Sequence, residues 1–175
     1  MWWHTLADDN SPLAYVAALE FAAAAGCKDF LDLGSGVGSG ALLFHRHSFA
    51  VSLADISSAM LSFCRYRFAS RDLAANFIDL KSSPLRVAAF DFITAMDVFE
   101  HLVDPVRTVD LLDRSLKPGG YVYGRFASEV DRDRPQHIVQ DFAQVFGRFA
   151  GLGYNEVFHD EWLWGHQVFQ KGGGN

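Results

Sequence analysis

The sequence contains no cluster of basic residues. Its 15 Lys and Arg are spread among 21 Asp and Glu, which gives the 175-residue chain a net charge of −6. Proteins that bind a nucleic-acid backbone usually present a basic face, so we expect no nucleic-acid partner. No run approaches the ~20 apolar residues that a membrane-spanning helix needs, and the first residues lack the basic and apolar regions of a secretory signal. These absences predict a cytoplasmic protein with no membrane span.

Cysteine is also scarce. Cys27 and Cys64 are the only two, and their spacing does not match a metal site. We expect both to be buried free thiols, as is usual in a reducing compartment. Apolar side chains, by contrast, are abundant, since 50% of the residues are hydrophobic and 16 are Phe. This composition predicts one well-packed globular domain.

Segments typical of strands alternate with segments typical of helices. The predicted strands are 29–33, 49–54, 76–78, 90–95, 121–126, 154–158 and 165–170. The predicted helices are 13–25 (after an N-cap at Ser11), 41–47, 58–70 (after an N-cap at Ser57), 104–116 and 137–150, and 117–120 is predicted as a turn. This alternation predicts an α/β fold with a mostly parallel sheet and helices on both faces. Ligands of such sheets bind at the carboxyl ends of the strands.

The segment 30–40 is the most informative part of the chain. An apolar strand is followed by four glycines that alternate with small residues, and a helix begins directly afterwards. Glycines let the backbone approach a ligand closely, and a helix start offers free N–H groups. Residues 36–41 also satisfy the loose dinucleotide pattern G-x-G-x-x-[GA], with Asp55 at about the expected distance. The segment therefore predicts a nucleotide-like ligand, and a nicotinamide-dependent oxidoreductase is one interpretation.

Acidic residues at the strand ends favour a different ligand. Asp32 precedes the glycines, where its carboxylate would repel a pyrophosphate but would suit a cation such as an amino group. Asp55, Asp79 and Asp97 follow or end three further strands. A ligand that combines a ribose, an adenine and an amino-acid group could use several of these carboxylates.

Five segments, taken in order, resemble the motifs of class I S-adenosylmethionine-dependent methyltransferases. The resemblance is closest to the group that includes the ubiquinone-biosynthesis methyltransferases. The segments are 31–38, 54–57 with Met60 and Leu61, 77–79, 90–102 and 116–120, and they cover about residues 29–126. The resemblance implies a Rossmann-like three-layer sandwich. Its sheet would have seven strands and be mostly parallel, with an antiparallel last strand inserted between its neighbours.

The same resemblance implies S-adenosylmethionine as the cofactor and assigns residues to it. These residues are Asp32, Gly34, Ser35, Gly36, Gly38, Asp55, Ile56, Asp79, Leu80, Met96 and Asp97. Asp32 would lie near the ammonium group, and Asp55 would accept both ribose hydroxyls, since a carboxylate offers two acceptor oxygens. Ile56 would contact the adenine ring and Asp79 would accept from its amino group. Met96 and its neighbours would line the methyl-transfer side.

Two histidines are candidate catalytic residues. His101 follows the fourth strand closely, and an imidazole has a pKa near neutrality, so it could act as general base for a hydroxyl nucleophile. Alternatively, Glu100 and His101 cap the next helix or hydrogen-bond to its backbone. His137 is a second candidate base, or simply part of a helix. We expect no metal, although Asp97, Glu100 and His101 are spaced closely enough to be weak candidates for a hard-metal site.

The resemblance also suggests how the domain is divided. One methyltransferase domain would span 1–171, with an N-terminal helix or lid at 1–28, a cofactor-binding half at 29–126, a substrate-side half at 127–171 and a flexible tail at 172–175. Methyl transfer would go to a small-molecule, lipid-like or saccharide acceptor through an O, N or C nucleophile. A non-catalytic, cofactor-binding partner protein is the alternative within this fold.

The acceptor side carries few signals. The [DN]-P-P-[YF] signature of enzymes that methylate nucleic-acid bases is absent, because Asp-Val-Phe-Glu occupies that place at 97–100. The short N-terminal segment and the short loop at 128–136 predict a small cap. The pocket would then be open, completed by the partner subunit of a homodimer, or covered by the N-terminus, with Trp2 and Trp3 as an apolar lid.

Overall fold

The computed structural model describes residues 10–126, 141–160 and 165–173. The helices are α1 (Asn10–Ala24), α2 (Ser39–Arg46), α3 (Ser58–Ala69), α4 (Pro105–Ser115) and α5 (Ala143–Gly151), with a 3₁₀ turn at Phe99–His101. The strands are β1 (Asp29–Leu33), β2 (Ala50–Asp55), β3 (Asn76–Asp79), β4 (Phe90–Ala95), β5 (Leu116–Arg125), β6 (Tyr154–Asp160) and β7 (His166–Lys171).

Seven strands form a single sheet in the order β3-β2-β1-β4-β5-β7-β6. The five strands from β3 to β5 are parallel, and β7 runs antiparallel between β5 and β6. The strand order reverses between β1 and β4, which is where open α/β sheets bind their ligands. The predicted Rossmann-like fold, including its inserted antiparallel last strand, is therefore confirmed.

Aromatic side chains fill the core on both faces of the sheet. On one face, Phe30 and Phe44 stack with their ring centroids 3.7 Å apart, and α1, α2 and α3 cover them. On the other face, Phe149 and Phe169 stack at 4.5 Å beneath α4 and α5. Each buried Phe contributes about 1.5–3 kcal/mol relative to an exposed one, so the aromatic core stabilises the packing of helices on both faces of the sheet.

Two local predictions were wrong. Helix α1 begins at Asn10, so Ser11 lies within the helix rather than capping it. Residues 117–120 belong to β5 instead of forming a separate turn. The strand is irregular there: Gly119 has φ +76°, and the pairing of β5 with β4 shifts register. The turn composition misled the prediction because a strand can accommodate such residues at a bulge.

Lys117 anchors this irregular part of β5. Its Nζ lies 2.6 Å from Oδ2 of Asp29 and 2.8 Å from Oδ1 of Asp91. Burial raises the pKa of Asp91, but the backbone N–H groups of Asp29 and Lys28 and the Lys117 ammonium outweigh it, so that the pKa is lowered overall. These bonds join β1, β4 and β5 at the amino ends of the strands, opposite the predicted site.

Several predictions concern residues outside the described ranges. They are the lid residues Trp2 and Trp3, the short loop at 128–136, the candidate base His137 and the start of the last predicted helix. Within the parts of the chain that the structure describes, no helix is long and apolar enough to span a membrane. Cys27 and Cys64 are buried and unpaired with each other, as predicted.

Candidate functional site

The glycine turn joins β1 to α2 in a left-handed conformation. Gly34, Gly36 and Gly38 have φ values of +67°, +50° and +72°, which residues with a Cβ adopt only at a cost. Helix α3 holds the turn from one side: the Cys64 thiol donates to the Gly36 carbonyl at 3.3 Å, and the Arg67 guanidinium donates to the Val37 carbonyl. The turn is thus fixed in shape before any ligand binds.

Asp55 lies at the end of β2 with its carboxylate beside the turn. The backbone N–H of Gly36 donates to Oδ2 at 3.0 Å, and the N–H of Ser57 donates to Oδ1 at 2.7 Å. A carboxylate has about four lone-pair sites, so about two remain for a ligand. Although it is only 8% exposed, Asp55 lines the adjacent cleft. It can therefore accept hydrogen bonds from two neighbouring hydroxyls.

Asp32 is fully buried at the end of β1. Its Oδ1 accepts from the Tyr15 hydroxyl at 2.9 Å and from the Thr94 hydroxyl at 3.0 Å. Burial raises the pKa of Asp32 to about 6, although both hydroxyls and the Ala41 amide favour the charged form. Among the described residues, Oδ2 of Asp32 has no hydrogen-bond partner, and neither has the buried hydroxyl of Ser35.

A cleft of about 710 Å³ opens beside Asp55 at the carboxyl ends of the strands. The loop after β3 forms one wall, and α4 with the loop after β4 forms another. The lining residues are Leu33, Gly34, Asp55, Ile56, 80–85, Asp97, Val98, His101, Leu102, Arg107, Thr108, Leu111 and Leu112. Apolar surface predominates over polar surface in this lining, which is the usual character of a small-molecule site.

The structure brings some of the predicted cofactor residues to this cleft. Those that line it are Gly34, Asp55, Ile56, Leu80 and Asp97. Ile56 is 65% exposed, so its side chain offers apolar surface to a ligand. Asp32, Ser35, Gly36 and Gly38 lie at the adjoining glycine turn and do not line the cleft itself.

Two predicted residues are placed elsewhere. Oδ2 of Asp79 accepts from the Ser58 hydroxyl at 2.7 Å, and Oδ1 accepts from the Lys81 N–H at 3.0 Å. The hydrogen bond from Ser58, and after it the one from Lys81, lowers the pKa of Asp79. Asp79 does not line the cleft. Met96 is 7% exposed, packs in the core on the α1–α3 face and does not line the cleft, so its place on the methyl-transfer side stays a prediction.

The loop after β4 carries the candidate base. His101 ends the 3₁₀ turn, is exposed and lines the cleft, whereas Glu100 is buried and its pKa is raised by that burial. Asp104, not Glu100 or His101, is the N-cap of α4 and accepts from the Arg107 N–H at 2.9 Å, so the predicted capping by Glu100 and His101 is wrong, whereas their bonding to the helix backbone stays a prediction. Asp97 has φ +50° and lies 3.7 Å from the Arg125 guanidinium.

The weak metal hypothesis receives no support. Over residues 10–126, 141–160 and 165–173, no three His, Cys, Asp or Glu side chains are grouped so that they could hold a metal ion. Asp97, Glu100 and His101 are close in sequence, but Glu100 turns into the core while His101 lines the cleft. The three therefore do not form a common ligand set.

Gly34→Ala should damage both the fold and the cleft. A Cβ at this position would lie 2.6 Å from Cγ2 of Val98, which lines the cleft, and the left-handed backbone adds about 1–2 kcal/mol of strain. We expect urea denaturation to show a loss of about 2–4 kcal/mol in unfolding free energy. Gly153→Ala is the matched control, because φ is +80° but a Cβ there meets nothing within 4 Å. Equal losses for both variants would show that contact with Val98 is unimportant.

Residues 31–124 match the family described as "Methyltransferase domain". The chain belongs to this family. The match covers the segments quoted for the resemblance, and the recognition of a class I S-adenosylmethionine-dependent methyltransferase is confirmed with it. S-adenosylmethionine is accordingly the cofactor that this methyltransferase domain implies.

Curated relatives of this methyltransferase domain include ubiquinone biosynthesis O-methyltransferases. The enzyme of Pseudomonas aeruginosa is 26% identical over 145 residues, which cover 78% of this chain and 61% of the relative. That of Coxiella burnetii is 28% identical over 108 residues, which cover 61% of this chain and 45% of the relative. This chain thus spans about half the length of the curated relatives it matches.

Solved structures support the fold of this methyltransferase domain. A SAM-dependent methyltransferase from Aquifex aeolicus superposes with a TM-score of 0.67 at 20% identity, covering 94% of this chain and 93% of the other. An S-adenosylmethionine-dependent methyltransferase from Mesorhizobium loti gives 0.67 at 16% identity, covering 90% and 98%. At this identity the comparison shows a shared fold.

Sequence reasoning missed several residues of the site. Tyr15 and Thr94, which bond to Asp32, carry no motif, and Arg67, which holds the glycine turn, is one of many basic residues on helices. The cleft wall at 81–85 carries no motif. A Tyr in an otherwise apolar first helix was the one available signal, since a buried hydroxyl needs a partner.

Proposed function

We propose that this chain binds S-adenosylmethionine at the glycine turn and the cleft and transfers its methyl group to a small-molecule, lipid-like or saccharide acceptor. One observation carries the proposal: the carboxylates of Asp32 and Asp55 flank the same glycine turn, and both keep acceptor capacity that the described protein groups do not use. Two acids there suit a ligand that bears an ammonium and a ribose, and they oppose one that bears a pyrophosphate.

The polar groups present fit the parts of this cofactor. Asp55 would accept from the ribose hydroxyls with its two remaining lone-pair sites. The adenine would enter the apolar cleft against Ile56 and Leu80. The ammonium would be held by Asp32, whose Oδ2 is buried without a partner among the described residues. An unpaired buried oxygen costs about 1–3 kcal/mol of free energy. A hydrogen bond from the cofactor to this oxygen should therefore remove that cost.

The protein's contribution to the reaction would be mainly positional. The chemistry supplied by the bound cofactor is a methyl group already activated by a positively charged sulfur. The chain would fix the donor through the turn and Asp55 and would exclude water with the apolar cleft wall. Holding the acceptor atom at roughly 3–3.5 Å from the methyl carbon, in line with the departing sulfur, supplies most of the rate.

His101 is the candidate general base for a hydroxyl acceptor. Its imidazole is exposed on the cleft, and the curated relatives are named O-methyltransferases. With a hydroxyl acceptor, His101→Ala should lower the rate of methyl transfer about 10²–10⁴-fold while changing the affinity for S-adenosylmethionine less than about twofold. The measurement is transfer of a labelled methyl group into fractionated cell extract. An unchanged rate would remove His101 from the mechanism.

The same assay with His137→Ala tests the second candidate base, which lies outside the described residues. If neither substitution slows transfer, no histidine proposed here is the base, and an N or C acceptor that needs no strong protein base is favoured. His47→Ala is a suitable control, because His47 is exposed at the end of α2, away from the residues that line the cleft.

Two rival functions make different predictions. A nicotinamide-dependent oxidoreductase is favoured by the pattern at 36–41, and it would bind NADH tightly without binding S-adenosylmethionine. A non-catalytic methyltransferase-like partner would bind S-adenosylmethionine but would label no acceptor in any extract. Asp32, Gly36 and Asp55 support cofactor binding and do not by themselves require turnover, so the extract assay separates this second rival from the proposal.

A further inference from the structure

Tyr15 reaches the cofactor-binding turn from outside it. It lies on α1, whose small buried residues Ala14 and Ala18 pack on the core, and its ring covers the start of α2. A Cβ built at Gly40 would lie 2.1 Å from the Tyr15 ring, so the ring occupies the space that any other side chain at position 40 would need. The absence of a side chain at Gly40 is what allows the Tyr15 hydroxyl to reach Oδ1 of Asp32 at 2.9 Å.

The hydroxyl meets only one side of the Asp32 carboxylate. Thr94 on β4 donates to the same oxygen at 3.0 Å. With two donors on Oδ1, the carboxylate cannot turn freely, and Oδ2 is left buried with no hydrogen-bond partner in the described part of the chain. The Ala41 amide also favours the charged carboxylate, but Oδ2 makes no hydrogen bond among the described residues. An unpaired buried oxygen costs free energy unless a ligand bonds to it.

We propose that Tyr15 is a positioning residue for the cofactor: its hydroxyl fixes the orientation of the Asp32 carboxylate so that Oδ2 receives the ammonium group of S-adenosylmethionine. The inference rests on the proposed function, and it assigns to α1 a part in cofactor binding that no motif of the sequence indicates. Tyr15 acts through Asp32, so its hydroxyl is not required to touch the cofactor.

The surroundings of the pair determine the pH dependence. The other charged or ionisable groups that act on it are Asp55 from β2, Cys64 from α3 and Asp97 from the loop after β4. Burial raises the pKa of Cys64 to about 11, and burial with the Asp32 charge raises that of Tyr15 well above its ordinary value. Cys64 and Tyr15 therefore stay protonated near neutral pH. Asp32, with a pKa of about 6, is the group that titrates in the Tyr15–Asp32 pair.

Tyr15→Phe is the direct test, because it keeps the ring over Gly40 and removes only the hydroxyl. The Tyr15 hydrogen bond lowers the pKa of Asp32, so its loss should raise that pKa and move the pH dependence of cofactor affinity upward. For a rise of one unit, calorimetric titration should show affinity about fivefold weaker than wild type at pH 6 and less than about twofold weaker at pH 8.5. Tyr66→Phe, at a 67% exposed position on α3, should follow wild type at both pH values.

A second readout does not depend on the cofactor. Titration of ¹³C-labelled Asp carboxyls in the free protein should show the Asp32 signal moving to higher pH in Tyr15→Phe. If Tyr15→Phe binds S-adenosylmethionine with the wild-type pH profile and its Asp32 titrates as in the wild type, the inference about Tyr15 is overturned. The proposed function would not be affected by that result. Failure of the wild type to bind S-adenosylmethionine at any pH would overturn the proposed function and this inference together.

Discussion

Replacing Asp55 by Ala should weaken the binding of S-adenosylmethionine at least about 100-fold. Hydrogen bonds to a charged acceptor contribute about 1.5–3 kcal/mol each, and two ribose hydroxyls would be lost together. The variant also frees the N–H groups of Gly36 and Ser57, which donate to this carboxylate at 3.0 and 2.7 Å. The glycine turn should therefore become less ordered, which adds to the loss. The measurement is calorimetric titration at pH 8.

A matched variant distinguishes this effect from a simple change of charge. Asp72 lies in the turn after α3 at φ +55°, a conformation that Asn tolerates, and it does not line the cleft. Asp72→Asn removes one negative charge and should change the affinity less than about twofold. Thermal unfolding without cofactor shows whether Asp55→Ala is still folded. If a folded Asp55→Ala binds within about threefold of wild type, the ribose is not held at the end of β2.

Asp32→Asn should gain stability relative to the wild type as the pH rises, although it should bind S-adenosylmethionine more weakly at pH 8. The folded-state pKa of Asp32 is about 6, against an ordinary value of 3.8, and burial is the main cause. Because the folded pKa is raised, the stability that Asp32 contributes is present at about pH 4 and is lost as the pH passes through 6. Asn cannot ionise, so it avoids this loss.

The comparison of wild type with Asp32→Asn isolates that one group. From pH 4 to pH 8 the unfolding free energy of the variant should gain on that of wild type by about 2–3 kcal/mol in urea denaturation. Any constant cost of burying the amide cancels in this difference. At pH 8 the affinity for S-adenosylmethionine should fall about 10–100-fold, since a charge-assisted hydrogen bond is lost. A stability difference that is flat with pH would mean that Asp32 is not the buried acid described.

The part of the site that could be predicted from sequence is the part made by backbone and strand ends. A strand that runs into alternating glycines must turn, and parallel strands bring their terminal acids to one edge, so Asp32 and Asp55 could be placed together without a structure. Asp79 also ends a parallel strand and lies at that edge, but the bonds of Ser58 and Lys81 to its carboxylate could not be predicted.

The part that could not be predicted depends on contacts between segments distant in sequence. Tyr15 lies 17 residues before Asp32, and Thr94 lies 62 residues after it; only the packing of α1 and the pairing of β1 with β4 bring them together. The burial of Met96 could not be predicted for a related reason. Its position after β4 indicates the ligand edge, but its side chain faces the core. The direction in which a side chain points at a strand end depends on packing that a motif does not record.

Calorimetric titration of the wild-type chain with S-adenosylmethionine and, separately, with NADH at pH 8 is the most direct test of the account. We expect saturable 1:1 binding of S-adenosylmethionine, which Asp55→Ala removes and Asp72→Asn retains. We expect no binding of NADH. Tight binding of NADH with none of S-adenosylmethionine would contradict it, because a pyrophosphate would then lie beside the buried carboxylate of Asp32.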